Sequence, residues 1–353
     1  MKKTKRFLAM LAAAAMLAAG AAGCAPAQSS SGQPSGEAVS SQAASSEAAS
    51  SSVEKTAIRV AGLKGPTGFG MVKLMQDAEN KATANDYTFT LAGAPDEITG
   101  KLISGELDIA ALPTNLAATL YNKTEGNIQL MALNTLGMLY VVTKGTEITS
   151  LAELKGKTVY STGQGSLPEY ALNYILTQNG TDPGKDVSVE YLSEHSELAT
   201  RVLSSEEPII AVLPQPFVTQ VTAKDDTVKI ALDLTEEWDK AVDGKSVLSM
   251  GCLVVRKDFA EANKDAVNAF LEEYQKSVAY TTENPAEASK LIEQYAIVAS
   301  AAIAEKAIPN CHMVYIDGNE MKSKTQDLFQ ILFDANPKSI GGSLPNDDFY
   351  YQK

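Results

Sequence analysis

Apolar and polar positions follow the same order twice along this chain, at a fixed spacing of 101 residues. Each copy has a strand-like apolar segment, then apolar residues at helical spacing, then a continuous apolar run that ends at a proline, Pro113 in the first copy and Pro214 in the second. This order predicts a strand, a helix and a buried strand. We therefore predict two similar α/β lobes, each with its own core.

The repeat also covers the segments that precede these runs. Residues 57–62 and 158–163 each predict a strand, and each is followed by a glycine-containing loop and a helix. Consecutive strand, helix and strand in one layer imply right-handed parallel crossovers, which place every strand-to-helix loop on one edge of the sheet. Ligands bind at that edge in open α/β sheets, so we expect a ligand cleft where the two edges face each other.

Two further strand-like segments, residues 139–142 and 252–255, bracket the second lobe. We interpret them as the crossings between the lobes, which makes the first lobe discontinuous. The predicted organisation is a signal peptide at 1–23, a lipidated cysteine and disordered tether at 24–54, a first lobe at 55–143 plus 257–353, and a second lobe at 144–256. The last third of the chain supplies helices, one of them with apolar positions on a single face between Val267 and Val278.

The N-terminus has the charge order of a secretory signal. Lysines and an arginine at residues 2–6 precede an alanine- and leucine-rich run from Phe7 to Ala22. The run ends in Ala21-Ala22-Gly23-Cys24, which resembles a bacterial lipobox, although Ala21 stands where leucine is commoner. Residues 25–54 are mostly Ser, Ala, Gln, Gly and Glu, too polar to fold alone. We expect an extracytoplasmic protein anchored to the bacterial cell membrane by a lipid on Cys24, with ordinary secretion as the alternative.

The amino-acid composition limits the size of the core, the kinds of binding partner and the state of the cysteines. The 353 residues are 44% hydrophobic, enough for two lobes and additional helices. The net charge of −13, which includes the positive signal region, disfavours nucleic acid. Cys252 and Cys311 could form a disulfide outside the cytoplasm or be two buried thiols, and we favour the thiols. We expect a monomer.

Sequence signatures of catalysis are missing. The segments at 156–158 and 244–246 end like a phosphate-binding loop, but Leu151 and Asp239 stand where its first glycine is required. His312 beside Cys311 lacks the further spaced ligands of a metal site. With two histidines in the chain, general acid and base groups are few. We therefore predict no cofactor, no metal and no enzymatic activity.

Two segments carry a family resemblance: Leu151-Ala152-Glu153-Leu154-Lys155-Gly156-Lys157-Thr158-Val159 and Cys252-Leu253-Val254-Val255-Arg256-Lys257-Asp258-Phe259. Together with the signal, lipobox, tether and duplication, they resemble the solute-binding lipoproteins of ABC importers, in the branch for nitrate, sulfonates, taurine and thiamine-precursor pyrimidines. The resemblance implies the type II periplasmic-binding-protein fold, an α/β fold of two Rossmann-like lobes joined by two crossing segments. It also implies delivery of a small solute to a membrane permease powered by a cytoplasmic ATPase.

Two other functions stay open at this stage. An enzyme on the same fold, such as a pyrimidine synthase, also resembles this branch, although the cysteine-rich motif of that family is absent here. A sensory or adhesive lipoprotein with an unoccupied cleft is the second alternative.

The predicted ligand contacts are the strand-to-helix loops and nearby polar residues. The candidates are Pro66, Thr67, Gly68, Phe69, Thr114, Asn115 and Thr135 from the first lobe, and Gly163, Gln164, Gly165, Ser166, His195 and Gln215 from the second. Glycines at helix starts let anions or polar oxygens approach backbone N–H groups. After the signal, no arginine falls in these loops, which disfavours free amino acids because their carboxylate is usually held by a bidentate arginine. We expect a neutral or heteroaromatic cofactor precursor, or a small organic anion such as a sulfonate.

Overall fold

The computed structural model describes residues 55–353, so the predicted signal peptide, Cys24 and tether lie outside the described residues. The strands of this part are β1 (Ala57–Leu63), β2 (Asp86–Ala92), β3 (Ile109–Leu112), β4 (Ile128–Thr135), β5 (Leu139–Lys144), β6 (Thr158–Thr162), β7 (Ser188–Leu192), β8 (Ile209–Pro214), β9 (Lys229–Asp233), β10 (Gly251–Arg256) and β11 (Met313–Asp317).

The helices surround these strands. They are α1 (Pro66–Phe69), α2 (Val72–Glu79), α3 (Asp96–Ser104), α4 (Thr114–Lys123), α5 (Leu167–Gln178), α6 (His195–Ser204), α7 (Phe217–Lys224), α8 (Leu234–Ala241), α9 (Lys257–Ala262), α10 (Lys264–Glu283), α11 (Pro285–Gln294), α12 (Ala301–Ala307) and α13 (Gly318–Ala335). Short 3₁₀ turns cover Leu151–Leu154, Ile308–Asn310, Pro337–Ile340 and Asp347–Phe349. Among the described helices, none combines the length and the apolar character that a membrane crossing requires.

The strands form two sheets with the same internal order. The first sheet runs β11-β4-β10-β3-β1-β2 and the second runs β9-β5-β8-β6-β7. The repeat of 101 residues relates β1, β2, β3 and β4 to β6, β7, β8 and β9, and β10 takes the place in the first sheet that β5 takes in the second. The predicted α/β class and the duplication of the lobes are therefore visible in the strand order itself, with β11 as an additional edge of the first sheet.

The strand register departs slightly from the strict repeat. Ala57 pairs with Asp86 in the first sheet, whereas Thr158 pairs with Ser188 in the second, a shift of one residue. Val60 pairs with Ile109, whereas Tyr160 pairs with Ala211, a shift of two residues. The duplicated strands therefore keep their order but not their exact register.

Each sheet is completed by a strand that arrives from the other one. Strand β5 follows β4 in the chain but pairs antiparallel with β8 and β9, and β10 follows β9 but pairs antiparallel with β3 and β4. The chain passes between the sheets at residues 136–138 and 245–250. Both passages come before the boundaries at 143/144 and 256/257 that the sequence predicts, because each of these strands belongs to the sheet that the chain has just entered. That the two sheets move as separate lobes stays a prediction.

Helices of the C-terminal third cover the first sheet. Helix α10 buries Val267, Phe270, Leu271, Tyr274 and Val278, the face that the sequence predicts. Helix α13 also reaches the second sheet, because it packs against α5. At its end, Asn336 Nδ2 donates to the hydroxyl of Tyr170, 3.1 Å away. The two sheets are thus connected by a helix contact in addition to the two passages.

Candidate functional site

A cavity of about 320 Å³ lies at the carboxyl edge of both sheets. Each loop that follows a parallel strand of either sheet contributes to its wall, as expected for open α/β sheets. The lining residues of the first sheet and its loops are Leu63, Lys64, Gly65, Pro66, Thr67, Gly93, Pro95, Pro113 and Asn115. Those of the second sheet and of the two passages are Met138, Gly163, Ser166, Leu167, Pro168, His195, Pro214, Gln215, Pro216, Phe217 and Met250.

Helix starts surround this cavity. Helices α1, α3, α4, α5, α6 and α7 all begin within or directly beside the lining residues. The first N–H groups of a helix have no partner inside the helix, and the helix dipole places partial positive charge there. Prolines at the starts of α1 and α5 have a backbone dihedral suited to the first helical turn. Acidic residues lie in the first turns of α3, α5 and α6 but not in those of α4 and α7, so the starts of α4 and α7 favour a ligand with negative charge or with polar oxygens.

His195 is the histidine of the cavity wall. Its Nδ1 lies 2.6 Å from the hydroxyl oxygen of Thr162, and its ring lies 5.5 Å from the ring of Phe217. Burial lowers the pKa of His195 below its ordinary value of 6.5, and the nearby Glu194 opposes this with a smaller effect. The imidazole is therefore neutral at pH 7 and offers the ligand a polar aromatic surface without charge.

Gln215 is held by the helix that follows it. Its Oε1 accepts from the hydroxyl of Thr219 at 2.8 Å and from the backbone N–H of Thr219 at 3.3 Å, and its own backbone N–H donates to the carbonyl of Met138 at 3.0 Å. Although Gln215 is only 2% exposed, it lines the cavity. These bonds fix the orientation of the side chain in the cavity wall.

The cationic side chains near the cavity are few. Lys64 lines it and is exposed. The three arginines of the described part have other contacts: Arg59 pairs with Asp108, Arg256 lies 3.7 Å from the same carboxylate, and Arg201 lies 3.9 Å from the centre of the Tyr160 ring. In the described part of the chain, Lys64 is therefore the one lysine or arginine that lines the cavity.

Apolar side chains form much of the remaining wall. They are contributed by Leu63, Met138, Leu167, Phe217 and Met250, with several prolines between them. Met138 and Met250 belong to the two passages between the sheets. A ligand with an apolar or aromatic body would bury that surface here and gain hydrophobic stabilisation.

The structure brings together seven of the residues that the sequence predicts as ligand contacts. Pro66, Thr67, Asn115, Gly163, Ser166, His195 and Gln215 line one cavity. Contact with a ligand stays a prediction for each of them.

The other six candidates lie outside the cavity wall. Phe69 is fully buried in the first core, and a Cβ on Gly68 would lie 2.4 Å from the carbonyl oxygen of Leu63. Thr114 shares a 2.8 Å hydrogen bond with Ser249, and Thr135 donates to Asn134. Gln164 and Gly165 are exposed on the loop before α5. Packing against the core or full exposure to solvent thus accounts for their positions.

Several lining residues are missing from the sequence-based candidates. Gly93 and Pro95 lie in the loop that follows β2, which the 101-residue spacing relates to the loop that carries His195. The repeat could have identified them. Met138 and Met250 could not be found that way, because they belong to passages whose positions depend on the strand pairing. The apolar type of Phe217 gave no signal of a ligand role.

Comparison with known proteins shows which family this chain matches. A family model described as "ABC transporter, phosphonate, periplasmic substrate-binding protein" matches residues 80–306, more than half of the chain. No curated protein matches significantly.

Solved structures share the fold. An ABC transporter protein from Parabacteroides distasonis is 26% identical, with a TM-score of 0.71 and coverage of 85% of this chain and 100% of that one. The aliphatic sulphonate binding protein SsuA from Escherichia coli is 15% identical, with a TM-score of 0.68 and coverage of 85% and 93%. The alkanesulfonate-binding protein SsuA from Xanthomonas axonopodis pv. citri, bound to MOPS, is 14% identical, with a TM-score of 0.61 and coverage of 80% and 93%.

These matches confirm the periplasmic-binding-protein fold and the resemblance to ABC importer binding proteins. They agree with the geometry, in which two sheets of equal strand order share one cavity at their carboxyl edges. The protein is the extracytoplasmic solute-binding component of an ABC import system, and it belongs to the family of phosphonate-type periplasmic substrate-binding proteins of ABC transporters.

Proposed function

We propose that this protein captures a small organic anion with an apolar or aromatic body, of the sulfonate or phosphonate class, and delivers it unchanged to its permease. The observation that carries this proposal is the shared cavity, where Lys64 and the starts of α4 and α7 favour an anion while apolar side chains form much of the wall. The description of the matching family and the names of the sulfonate-binding neighbours support the same ligand class.

Binding in this cavity favours a closed arrangement of the two sheets. The ligand touches both sets of loops at once only when the two edges are near each other, so the closed arrangement gains more contact free energy than an open one. The passages at 136–138 and 245–250 provide the places where the chain would bend. We propose that the closed, ligand-bound form is the one that docks on the permease, as a monomer.

A ligand panel tests the proposal. The purified full-length protein is titrated by calorimetry with benzenesulfonate, phenylphosphonate, propane-1-sulfonate and nitrate, and with benzyl alcohol and benzamide as uncharged counterparts. We expect the organic anions to bind, to return unchanged after incubation, and to stabilise the fold by about 2.7 kcal/mol at 100 times their Kd. Binding of the uncharged compounds alone, or chemical conversion of a bound anion, would refute it.

Lys64→Gln separates the lysine from the helix starts. We expect the variant to weaken anion binding roughly three- to tenfold, since an exposed charge contributes modestly and the N–H groups remain. Lys185→Gln is the matched control, because Lys185 is also exposed but lies near the amino end of β7, at the opposite edge of the second sheet. Equal effects of the two substitutions would show a nonspecific charge effect.

We also propose that a lipid on Cys24 holds the protein at the membrane. The lipobox-like sequence and the polar segment after it support this. Metabolic labelling with a radioactive fatty acid should label the natural protein and leave Cys24→Ser unlabelled. Label in the variant, or its absence from both, contradicts the anchor without bearing on the ligand.

A further inference from the structure

Two carboxamide side chains line the cavity from opposite sheets, Asn115 after β3 and Gln215 after β8. A carboxamide has a donor end and an acceptor end, and its partners decide which end is left for a ligand. Both side chains here have a partner of unambiguous polarity, because each bonds to a backbone group. Their orientations therefore follow from chemistry.

Gln215 turns its oxygen away from the ligand space. The backbone N–H of Thr219 can only donate, so the group 3.3 Å from it must be Oε1, which also accepts from the Thr219 hydroxyl. The Nε2 group has no hydrogen-bond partner within residues 55–353. The second sheet thus presents an N–H donor to the cavity.

Asn115 has the reverse orientation. The backbone carbonyl of Ser339 can only accept, so the group 3.1 Å from it must be Nδ2. The Oδ1 atom has no hydrogen-bond partner in the described part of the chain. The first sheet thus presents an acceptor, and the two carboxamides give the cavity opposite polarity at its two sides.

We propose that these carboxamides orient the ligand: Gln215 donates to the anionic group, and Asn115 accepts from an amino or hydroxyl group elsewhere on the same molecule. This inference rests on the proposed function and narrows it to organic anions that also carry a hydrogen-bond donor. Thr219 is a positioning residue, because it acts through Gln215 by holding the oxygen of the carboxamide away from the anion.

Pairs of ligands that differ in a single group test the proposed acceptor role of Asn115. The full-length protein is titrated with 4-aminobenzenesulfonate and with 4-methylbenzenesulfonate, which differ by an amino and a methyl group of similar size. A second pair of shorter molecules, 2-hydroxyethanesulfonate and propane-1-sulfonate, places an uncharged donor closer to the sulfonate. We expect the donor-bearing member of at least one pair to bind about tenfold more tightly. Asn115→Ala should abolish this preference, so that the two members of the pair bind with the same affinity.

The control for Asn115 is on the same helix. Asn122 also donates from Nδ2 to backbone carbonyls of the C-terminal segment, those of Ile340 and Ser343, but it does not line the cavity. Asn122→Ala should keep the full preference for the donor-bearing ligand. If it loses the preference to the same extent as Asn115→Ala, the effect belongs to docking of the C-terminal segment and the proposal is wrong.

Gln215→Glu tests the proposed donor role of Gln215. The substitution keeps the acceptor for Thr219 but replaces the free donor with an anionic oxygen, so we expect both members of each pair to lose at least thirtyfold in affinity. Gln220→Glu adds the same charge to α7 outside the cavity wall and should leave both affinities within about threefold. Equal losses in the two variants would contradict a specific donor role.

Thr219→Val and Thr219→Ser test positioning. Valine removes the 2.8 Å bond and leaves Oε1 with the weaker backbone bond, so anion affinity should fall about three- to tenfold, and serine should restore it. Loss in both variants contradicts the positioning role. Wild-type protein that binds both members of both pairs equally overturns this inference alone, whereas failure of every sulfonate and phosphonate to bind overturns the proposed function as well.

Discussion

The two halves of the cavity are built from equivalent positions of the repeat, yet they expose different chemistry. Phe69 and Tyr170 are 101 residues apart, and Phe69 is fully buried while Tyr170 is partly exposed and bonded to Asn336. Thr114 is buried against Ser249, whereas its counterpart Gln215 lines the cavity. The repeat therefore specifies the scaffold, whereas the side chains of the cavity wall differ between the two halves.

The cause lies in the helices added after the repeat. Helices α10 and α11 pack on α2, and α10 closes the core that contains Phe69. The equivalent helix of the second half, α5, meets α8 and α13 instead. The loop before α1 thus rests on a closed core, while the loop at 163–166 leaves Gln164 and Gly165 exposed. Burial of equivalent residues depends on what packs behind them.

Truncation of the equivalent aromatic side chains Phe69 and Tyr170 should give the largest difference between the two halves. Phe69→Ala removes a fully buried ring and should lower the free energy of unfolding by about 3–5 kcal/mol. Tyr170→Ala should cost about 1 kcal/mol, because the ring is partly exposed. Urea unfolding followed by circular dichroism measures both. Equal losses would show that the second half is as tightly packed at this position as the first.

A smaller loss of stability is expected when alanine replaces Gly68 in the first half. A methyl group on Gly68 would meet the carbonyl oxygen of Leu63 at 2.4 Å, so Gly68→Ala should destabilise the fold by about 1–3 kcal/mol through backbone displacement. Gly100→Ala is the control, since Gly100 lies within α3 and nothing stands within 4 Å of an added Cβ. Alanine should stabilise that helix by roughly 0.5–1 kcal/mol. If Gly68→Ala leaves the free energy of unfolding unchanged, the backbone around Gly68 can move at little cost.

The smallest expected effect concerns His195, whose counterpart in the first half is Ala94. Its pKa is lowered, so the imidazole is neutral at pH 7 and gains a proton only as the pH falls below 6.5. A sulfonate stays ionised throughout, so protonation places positive charge beside it. We expect the affinity for benzenesulfonate to rise roughly three- to tenfold as the pH falls through the lowered pKa of His195. Calorimetry at several pH values measures this.

Linkage gives the opposite sign for the ligand-free fold. Because the pKa of His195 is lower in the folded state, its contribution to stability is complete above 6.5 and is lost as the pH falls through the folded value. His195→Gln should flatten both profiles. An affinity that rises equally in this variant would show that a group other than His195 causes the effect.

Much of the fold could be predicted from the sequence, because the repeat fixes the order of strands and helices. The apolar face of α10 and the predicted parallel strands are confirmed. The passages were harder to place, since β5 and β10 carry the same apolar pattern whichever sheet they join. Pairing partners distant in sequence decide that question, and periodicity does not report them.

The cavity wall was predictable where it follows from the edge of a sheet. Loop residues such as Pro66, Ser166 and Gln215 line the cavity because every strand-to-helix loop of a parallel layer meets at one edge. The local sequence could not show that Thr114 forms a hydrogen bond with Ser249, or that α10 covers Phe69. Those outcomes depend on segments more than 100 residues away.

Strands β5 and β10, which each join the sheet that the chain has just entered, impose an order on folding. Strands β5 to β9 are consecutive, so the second sheet has all its members once residue 233 is available. The first sheet has β10 inserted between β3 and β4, which leaves its early strands divided until residue 256 arrives. Contacts between such distant segments form slowly. During emergence from a translocation channel, the later half is therefore the first to acquire a complete sheet, and the earlier half waits for its return.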